Sequence, residues 1–328
     1  MILERGYCPG TLEKGFDTFS RKCLQKVFDG KKVSHILPYQ SPTTNAVMDE
    51  IFTENRKRIS ISGVQEKFSV IQEKNQLRLI NQGEQGTHIL KPIPNVGKNA
   101  DQMPANEHLT MQLASKVFGI ETASNALIFF NDQKPAYITK RFDVHNGTKL
   151  AQEDFASLAG RTPYTHGEHY KYLGNYFELF ELMRKYVPAY QIEGVKLFKL
   201  VMFNYLFSNG DAHFKNFSLL ETSQGDFILS PAYDLLNSRI HIEDKDFALE
   251  EGLLPKNLVK GKVITQFFQL AELAGLKKSQ IDKVFSVLIS KEDEVKKMIS
   301  ASFLNERTKR NYQQAYQTRL KKLRTNEI

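Results

Sequence analysis

Cysteine is nearly absent from this 328-residue chain, with Cys8 and Cys23 the only two. Two thiols cannot build a disulfide framework, and they fall short of the four protein ligands a structural zinc site ordinarily takes. They read as small packing residues open to oxidation, in a segment, GYCPGTLEKGFDTFSRKCLQKVF, that holds no further Cys or His. No uninterrupted apolar stretch approaches the roughly 20 residues of a membrane span. Glu4 and Arg5 stand where a signal peptide needs apolar side chains. These absences set the expectation of a cytoplasmic protein with reduced thiols and no membrane contact.

What is present fits a globular chain with one large core or two lobes, at 41% apolar and 25% charged residues. A net charge of +8 invites a nucleic-acid reading. Its distribution argues against a broad basic groove, because residues 305–328 hold seven Lys or Arg against two Glu, five of the eight excess charges. Such a run is ordinarily a solvated helix face.

The pattern changes near residue 143, with strand-like alternation before it and helical periodicity after it. RISISGVQEKFSVI and NQLRLI read as consecutive strands and THILKPI as a third. NALIFF and PAYITKRF read as a pair turning at Asn131 and Asp132. Between the third and fourth strands, ANEHLTMQLASKVFGI has helical spacing and ends at Gly119. Five strands with one helix after the third is the small-lobe plan of a protein kinase. The expected fold is therefore α+β and bilobal, with an N-terminal segment over residues 1–50, a β-rich lobe over 51–143 and a mostly helical lobe over 144–328. Within the last, the apolar helix EGVKLFKLVMFNYLF leads straight into NGDAHFKN, residues 209–216.

In NGDAHFKN, Asp211 and Asn216 stand five apart, the spacing of the catalytic-loop Asp and Asn of protein kinases. FSLLETSQGDFILS then reads as two strands turning at Gly225, which returns PAYD and its Asp234 to Asn216. One carboxylate can orient a hydroxyl, and the other two side chains can hold Mg²⁺. The same D-x-x-x-x-N spacing also arises in ordinary loops rich in Asp, Asn and Gly. In the small lobe, Lys91 on the third strand is the candidate cation for nucleotide phosphates, and Glu107, in the first turn of the helix, is the acid to hold it. SISGVQEK offers one glycine, Gly63, as a phosphate loop, flanked by Ser60 and Ser62. Phosphorylating either serine would put about two negative charges where ATP phosphates must sit. The alternation of Ser and Ile also reads as a half-exposed strand.

Taken in order, SGVQEK, LKPI, NEH, KRFD, QED, NGDAHFKN and PAYDLL resemble the HipA-like serine/threonine kinases of bacterial toxin–antitoxin systems, over more than 170 residues. The resemblance implies an ATP- and Mg²⁺-dependent protein kinase whose target is typically an aminoacyl-tRNA synthetase and whose activity stops translation and growth. Position by position, it implies Asp211 as the base or hydroxyl-orienting group, Asn216 and Asp234 as metal ligands, and Lys91 on phosphates. Backbone groups of Lys140, Arg141 and Phe142 would hold adenine, Asp143 the ribose, and Ser62, Gly63, Val64, Gln65, Glu66 and Lys67 would cover the phosphates. His213 stands where conventional protein kinases carry a lysine aimed at the transferred group, a candidate contact to the γ-phosphate. Ser60 aligns with the autophosphorylated loop serine of the family, and Ser62 adds a second.

Full-length HipA proteins carry a further N-terminal subdomain with no room before SISGVQEK here, so the chain is similar to the shorter HipT branch. That branch implies a HipB-type helix-turn-helix antitoxin, a HipS-type small protein, and contact with DNA only through the antitoxin. The G-D-x-H-x-x-N type loop also occurs in small-molecule and lipid phosphotransferases. An inactive kinase-like binding module is the remaining alternative.

Overall fold

Alternating side chains build the first sheet. The computed structural model describes residues 6–42, 66–95, 97–145, 147–243 and 245–324. After α1 (Arg21–Phe28), whose Ser20 cap accepts from the Cys23 amide, β1 (Phe68–Glu73) buries Phe68 and Val70 and leaves Ser69 and Ile71 half-covered. β2 (Gln76–Leu79) folds back on it through Lys74 at φ +55°, pairing Val70 with Leu79. β3 (His88–Pro92), β4 (Asn125–Phe129) and β5 (Pro135–Lys140) complete an antiparallel sheet of order β2-β1-β3-β5-β4. Leu90 joins Phe68, Val70, Ala126 and Ile138 in one core, and its neighbour Lys91 therefore lies on the opposite face, its ammonium 5.3 Å from the Tyr137 ring. The start expected for the first strand, at residue 58, lies outside the described residues.

The inserted helix, α2 (Met103–Gln112), begins two residues earlier than its periodicity predicts, because Pro104 suits the first turn, where its missing N–H is harmless. Glu107 consequently stands in the second turn rather than the first. After α2 the helix loosens into a π-turn over Leu113–Val117 and stops at Gly119, where φ is +59°. Every residue from Pro104 to Gln112 is buried. This helix has no solvent face, and its polar residues reach separate segments of the chain.

The rest is mostly helical. α3 (Phe177–Tyr186) packs on α4 (Tyr190–Leu206), and α5 (Val263–Leu273), α6 (Lys278–Ser290), α7 (Glu292–Ala301) and α8 (Glu306–Arg324) close the body. A small sheet of β6 (Gln152–Asp154), β7 (Ser218–Glu221) and β8 (Phe227–Leu229) lies among them, in the order β8-β7-β6. Phe118, behind α2, meets Phe203 and Phe207 of the α4 end at 5.6 Å each, so one apolar core runs from the inserted helix into the helical body. The basic C-terminal stretch is not simply a solvated face. Tyr312, Tyr316, Leu320 and Leu323 are buried, and Arg319, 1% exposed, lies over the Tyr205 ring and pairs with Asp246. No helix among the described residues is long and apolar enough to cross a membrane.

Candidate active site

The α4 helix ends at Leu206 and the chain turns through Ser208 at φ +52°. Asn209 locks this exit, its amide nitrogen bonding Asn204 O at 2.8 Å and its side chain meeting Asn204 Oδ1 at 2.9 Å. The loop is then held from within and from below. Asn216 Nδ2 donates to the Asp211 carbonyl at 2.6 Å, His213 N to the same carbonyl at 2.8 Å, and Gly210 N to Ser238 Oγ at 2.8 Å. Because its amide nitrogen is engaged, Asn216 has its side-chain oxygen as the group left to act as a ligand.

Gly225, at φ +83°, closes the β7–β8 turn and pairs Leu219 with Leu229. Beyond the hairpin, Tyr233 donates its hydroxyl to Lys215 O at 3.0 Å, which ties the residue before Asp234 to the residue before Asn216. Asp234 itself adopts φ +54°, a region that Asp tolerates better than most side chains and that clusters at functional sites.

Two ammonium groups from the small lobe converge on Asp234. Lys91 contacts Oδ1, and Lys67 stands 3.2 Å from Oδ2. Lys91 also donates to Glu107 Oε1 at 2.6 Å, with Lys91 3% and Glu107 2% exposed. Burial alone would lower the Lys91 ammonium, but the charges of Asp234 and Glu107 outweigh it and hold the group above its usual range. Burial alone would raise the Asp234 carboxyl, and Lys67 and Lys91 reverse this, holding it below the usual carboxylate range. Burial pushes Glu107 up against the pull of Lys91.

Asp211 is the accessible member of the group, its side chain 44% exposed. The Tyr172 hydroxyl donates to its Oδ1 at 2.8 Å, and His213 Nε2 lies 3.7 Å from the same oxygen. Burial lowers His213 to about 4, so the ring is neutral near pH 7. Among the described residues, its buried Nδ1 meets no hydrogen-bond partner.

At the lobe junction the Lys140 amide donates to Ser124 O at 2.7 Å and the Arg141 amide to Thr87 O at 2.9 Å. Both donors are therefore engaged by neighbouring segments of the small lobe. The Phe142 ring stacks on Tyr233 with centroids 5.8 Å apart. Asp143, 6% exposed, is gripped by the Arg141 guanidinium, with Nε 2.9 Å from Oδ1 and Nη2 on Oδ2. In the QED segment, Asp154 pairs with Lys215 at 2.6 Å and Gln152 donates to Ser218 Oγ at 2.9 Å, bracing the 209–216 loop from its flank.

Ser60, Ser62, Gly63, Val64 and Gln65 lie outside the described residues; Glu66 and Lys67 are the first residues after that gap. Sequence reasoning missed Tyr172, Asn106 and Ser238, which reach the site across 39, 131 and 28 residues of chain respectively. Only the NEH triplet carried a signal for one of them. Cys8 and Cys23 are buried, and the Cys8 sulfur accepts from the Ser20 amide at 3.1 Å and the Gly10 amide at 3.4 Å.

The HipA-like C-terminal domain family matches residues 59–299, which spans both lobes and every residue of this centre from Lys67 to Asp234. The chain belongs to that family. A Haemophilus influenzae protein named "Putative kinase" is 25% identical over 308 residues, 87% of each chain. "Putative kinase Y4mE" of Sinorhizobium fredii is 30% identical over 194 residues, 55% of this chain and 43% of that protein. Among solved structures, HipA from the Shewanella oneidensis complex of HipA, HipB and operator DNA superposes with a TM-score of 0.61 at 21% identity, over 80% of this chain and 63% of HipA. The Helicobacter pylori proinflammatory kinase CtkA gives 0.51 at 13% identity, over 75% and 90%. These likenesses establish a bilobal, kinase-like fold, with a small β-rich lobe carrying one helix and a larger helical lobe. The chain spans less than two thirds of that HipA and less than half of Y4mE.

Proposed function

We propose that this chain is an ATP-dependent serine/threonine-protein kinase of the HipA-like family, a toxin that arrests growth by phosphorylating a protein such as an aminoacyl-tRNA synthetase. The observation that carries the reading is Lys91, buried between Glu107 and Asp234 in a kinase-like fold. Two lysines around one carboxylate suit the place where a polyphosphate and its metal must meet.

The donor chemistry fits both groups. Asp234 and the Asn216 side-chain oxygen are hard oxygen ligands that Mg²⁺ accepts, and Lys67 and Lys91 can exchange carboxylate for phosphate oxygens. The orphaned His213 Nδ1 supports a polar group arriving beside Asp211. The carbonyls of Lys140 and Arg141 and the amide of Phe142 would bind adenine, with Asp143 near the ribose. When bound, Mg²⁺ would neutralise charge on the transferring phosphoryl group. Asp211 orients a serine or threonine hydroxyl; its oxygen forms the new bond to the γ-phosphorus, the bond to the β-bridging oxygen breaks, ADP leaves, and the hydroxyl proton passes to Asp211.

The family and the HipB-bound neighbour support a partnership with a helix-turn-helix antitoxin, and resemblance to the HipT branch supports a HipS-type partner and a switch at Ser60 or Ser62. The test is mass spectrometry of the purified chain after incubation with Mg²⁺-ATP, beside Asp211→Asn. Phosphate on Ser60 or Ser62 in the parent alone is expected. Equal phosphorylation of both proteins would overturn the role of Asp211. No phosphate on either, with ATP still bound, would favour a small-molecule acceptor.

A further inference from the structure

We propose that Tyr172 is a positioning residue for Asp211, its phenol fixing one carboxylate oxygen so that the other faces the acceptor hydroxyl. The inference rests on the kinase reading and adds a residue to it.

A carboxylate on an exposed loop turns readily about its last side-chain bond, and its two oxygens are chemically equal. Asp211 would be poorly defined without a donor that distinguishes them, since a misplacement of about 1 Å at a reacting group lowers the rate of transfer about 10²-fold. Tyr172 supplies that donor, at 2.8 Å from Oδ1. His213 flanks the same oxygen at 3.7 Å, and among the described residues Oδ2 meets no hydrogen-bond donor. One oxygen is held and the other is open.

The phenol is itself fixed. The Tyr172 amide donates to His169 O at 2.9 Å, its carbonyl accepts from Glu250 N at 3.0 Å, and Arg161 Nη1 holds the next carbonyl, that of Leu173, at 2.7 Å. The ring stands edge-on to His213 with centroids 5.0 Å apart. Four residues on, Tyr176 donates its hydroxyl to Ala212 O at 2.7 Å, so one segment sends phenols to two successive residues of the catalytic loop. Their settings differ. Tyr176 is 2% exposed and bonds a main-chain carbonyl, whereas Tyr172 is only half-buried and bonds the reactive carboxylate. Because Glu250 lies beyond Asp234, the same backbone also joins the hydroxyl-orienting group to the chain downstream of the metal carboxylate.

The experiment is single-turnover transfer from Mg²⁺-ATP in the full chain, read by intact mass, for parent, Asp211→Asn, Tyr172→Phe and a protein carrying 3,5-difluorotyrosine at position 172. Affinity for a fluorescent ATP analogue is measured alongside. Tyr172→Phe is expected to lower the rate constant about 10- to 100-fold with nucleotide affinity unchanged. The fluorinated phenol keeps the shape but is a stronger acid than tyrosine, so although burial and the Asp211 charge raise the phenol at this site, it ionises at a lower pH than the parent's. The charged or titratable groups around it are Asp211, His213 and Lys171. Its transfer rate is expected to fall as pH rises through that ionisation while the parent's does not, which a purely structural role would not produce. A parent-like rate in Tyr172→Phe with Asp211→Asn inactive would overturn the inference alone. So would a faster Tyr172→Phe, which would make the phenol a plug, or phosphate on Tyr172 itself, which would make it an acceptor. No transfer by the parent would remove the kinase reading and this inference with it, and equal transfer by Asp211→Asn would remove the role of Asp211 on which this inference stands.

Discussion

Asn106 and Asn237 bond each other reciprocally: Asn106 Nδ2 donates to Asn237 O at 2.9 Å, and Asn237 N donates to Asn106 Oδ1 at 3.1 Å. Both are fully buried. The pair joins the inserted helix to the chain three residues past Asp234. Its neighbours extend the same logic, since Glu107 reaches Lys91 and His108 reaches Gly10 O at 3.4 Å. Asn106→Ala leaves a buried amide and a buried carbonyl without partners, so it is expected to destabilise the fold by about 1–3 kcal/mol. Asn106→Asp keeps the acceptor but removes the donor and brings a charge. Urea midpoints for both variants check this, and a midpoint within error of the parent in both would show the clamp to be dispensable.

Lys91 sits between two carboxylates, so its removal should act on stability and on turnover together. Lys91→Met strands Glu107 at 2% exposure, and breaking a buried pair in this way lowers stability by about 3–5 kcal/mol. Adding Glu107→Gln removes the stranded charge and should recover a large part of that loss while leaving transfer depressed by about 10²-fold or more. Melting curves and transfer rates on the two variants separate the effects. Recovery of both together would show that Lys91 serves only the fold.

Much of the small lobe was legible because strand burial and sequence alternation are the same property, and β1 and β3 each place one side toward the core. Asp211 and Asn216 were legible for a local reason, five residues of one loop. Glu107, Lys91 and Asp234 come from three elements, and spacing could single them out only through the order of strands and helix. Tyr172 was not legible. It stands among other tyrosines in HYKYLGNY, and nothing local distinguishes the one whose hydroxyl meets Asp211. Arg319 was hidden for the opposite reason, being one of seven basic residues in a polar helix and the one that turns inward over Tyr205.

Acid should loosen the small lobe through its buried histidines. Burial lowers His88 to about 4 and His108 to about 3. His88 Nε2 lies 2.7 Å from Val27 O, and His108 reaches Gly10 O, so both rings tie the N-terminal segment to the sheet and the inserted helix. Their folded values lie below the unfolded one of about 6.5, so between those limits the unfolded chain binds more protons. The stability they confer is complete above about pH 6.5 and declines as pH falls toward 4, by at most about 1.4 kcal/mol per pH unit for each ring. Urea midpoints at pH 7 and pH 5 should differ in the parent and differ less in His108→Gln. Equal midpoints in the parent would show that the rings protonate freely in the folded state.

Gly10 is demanded by space rather than by backbone angle. A Cβ there would stand 2.0 Å from Cys23 Sγ, 3.0 Å from Cys23 Cβ and 3.3 Å from Ala126 Cβ. Cys23 is 1% exposed and its side chain is too short to swing clear, so Gly10→Ala must shift either α1 or the strand behind it. The expected loss is about 1–3 kcal/mol, the usual penalty of overpacking a filled core. Cys23→Ala deletes the atom at 2.0 Å, so the double variant should be more stable than Gly10→Ala despite losing a buried sulfur. That sign is the useful outcome. If Cys23→Ala lowers the melting temperature by the same amount in either background, the two sites do not touch in solution, and the packing of the N-terminal segment against β4 is not as described.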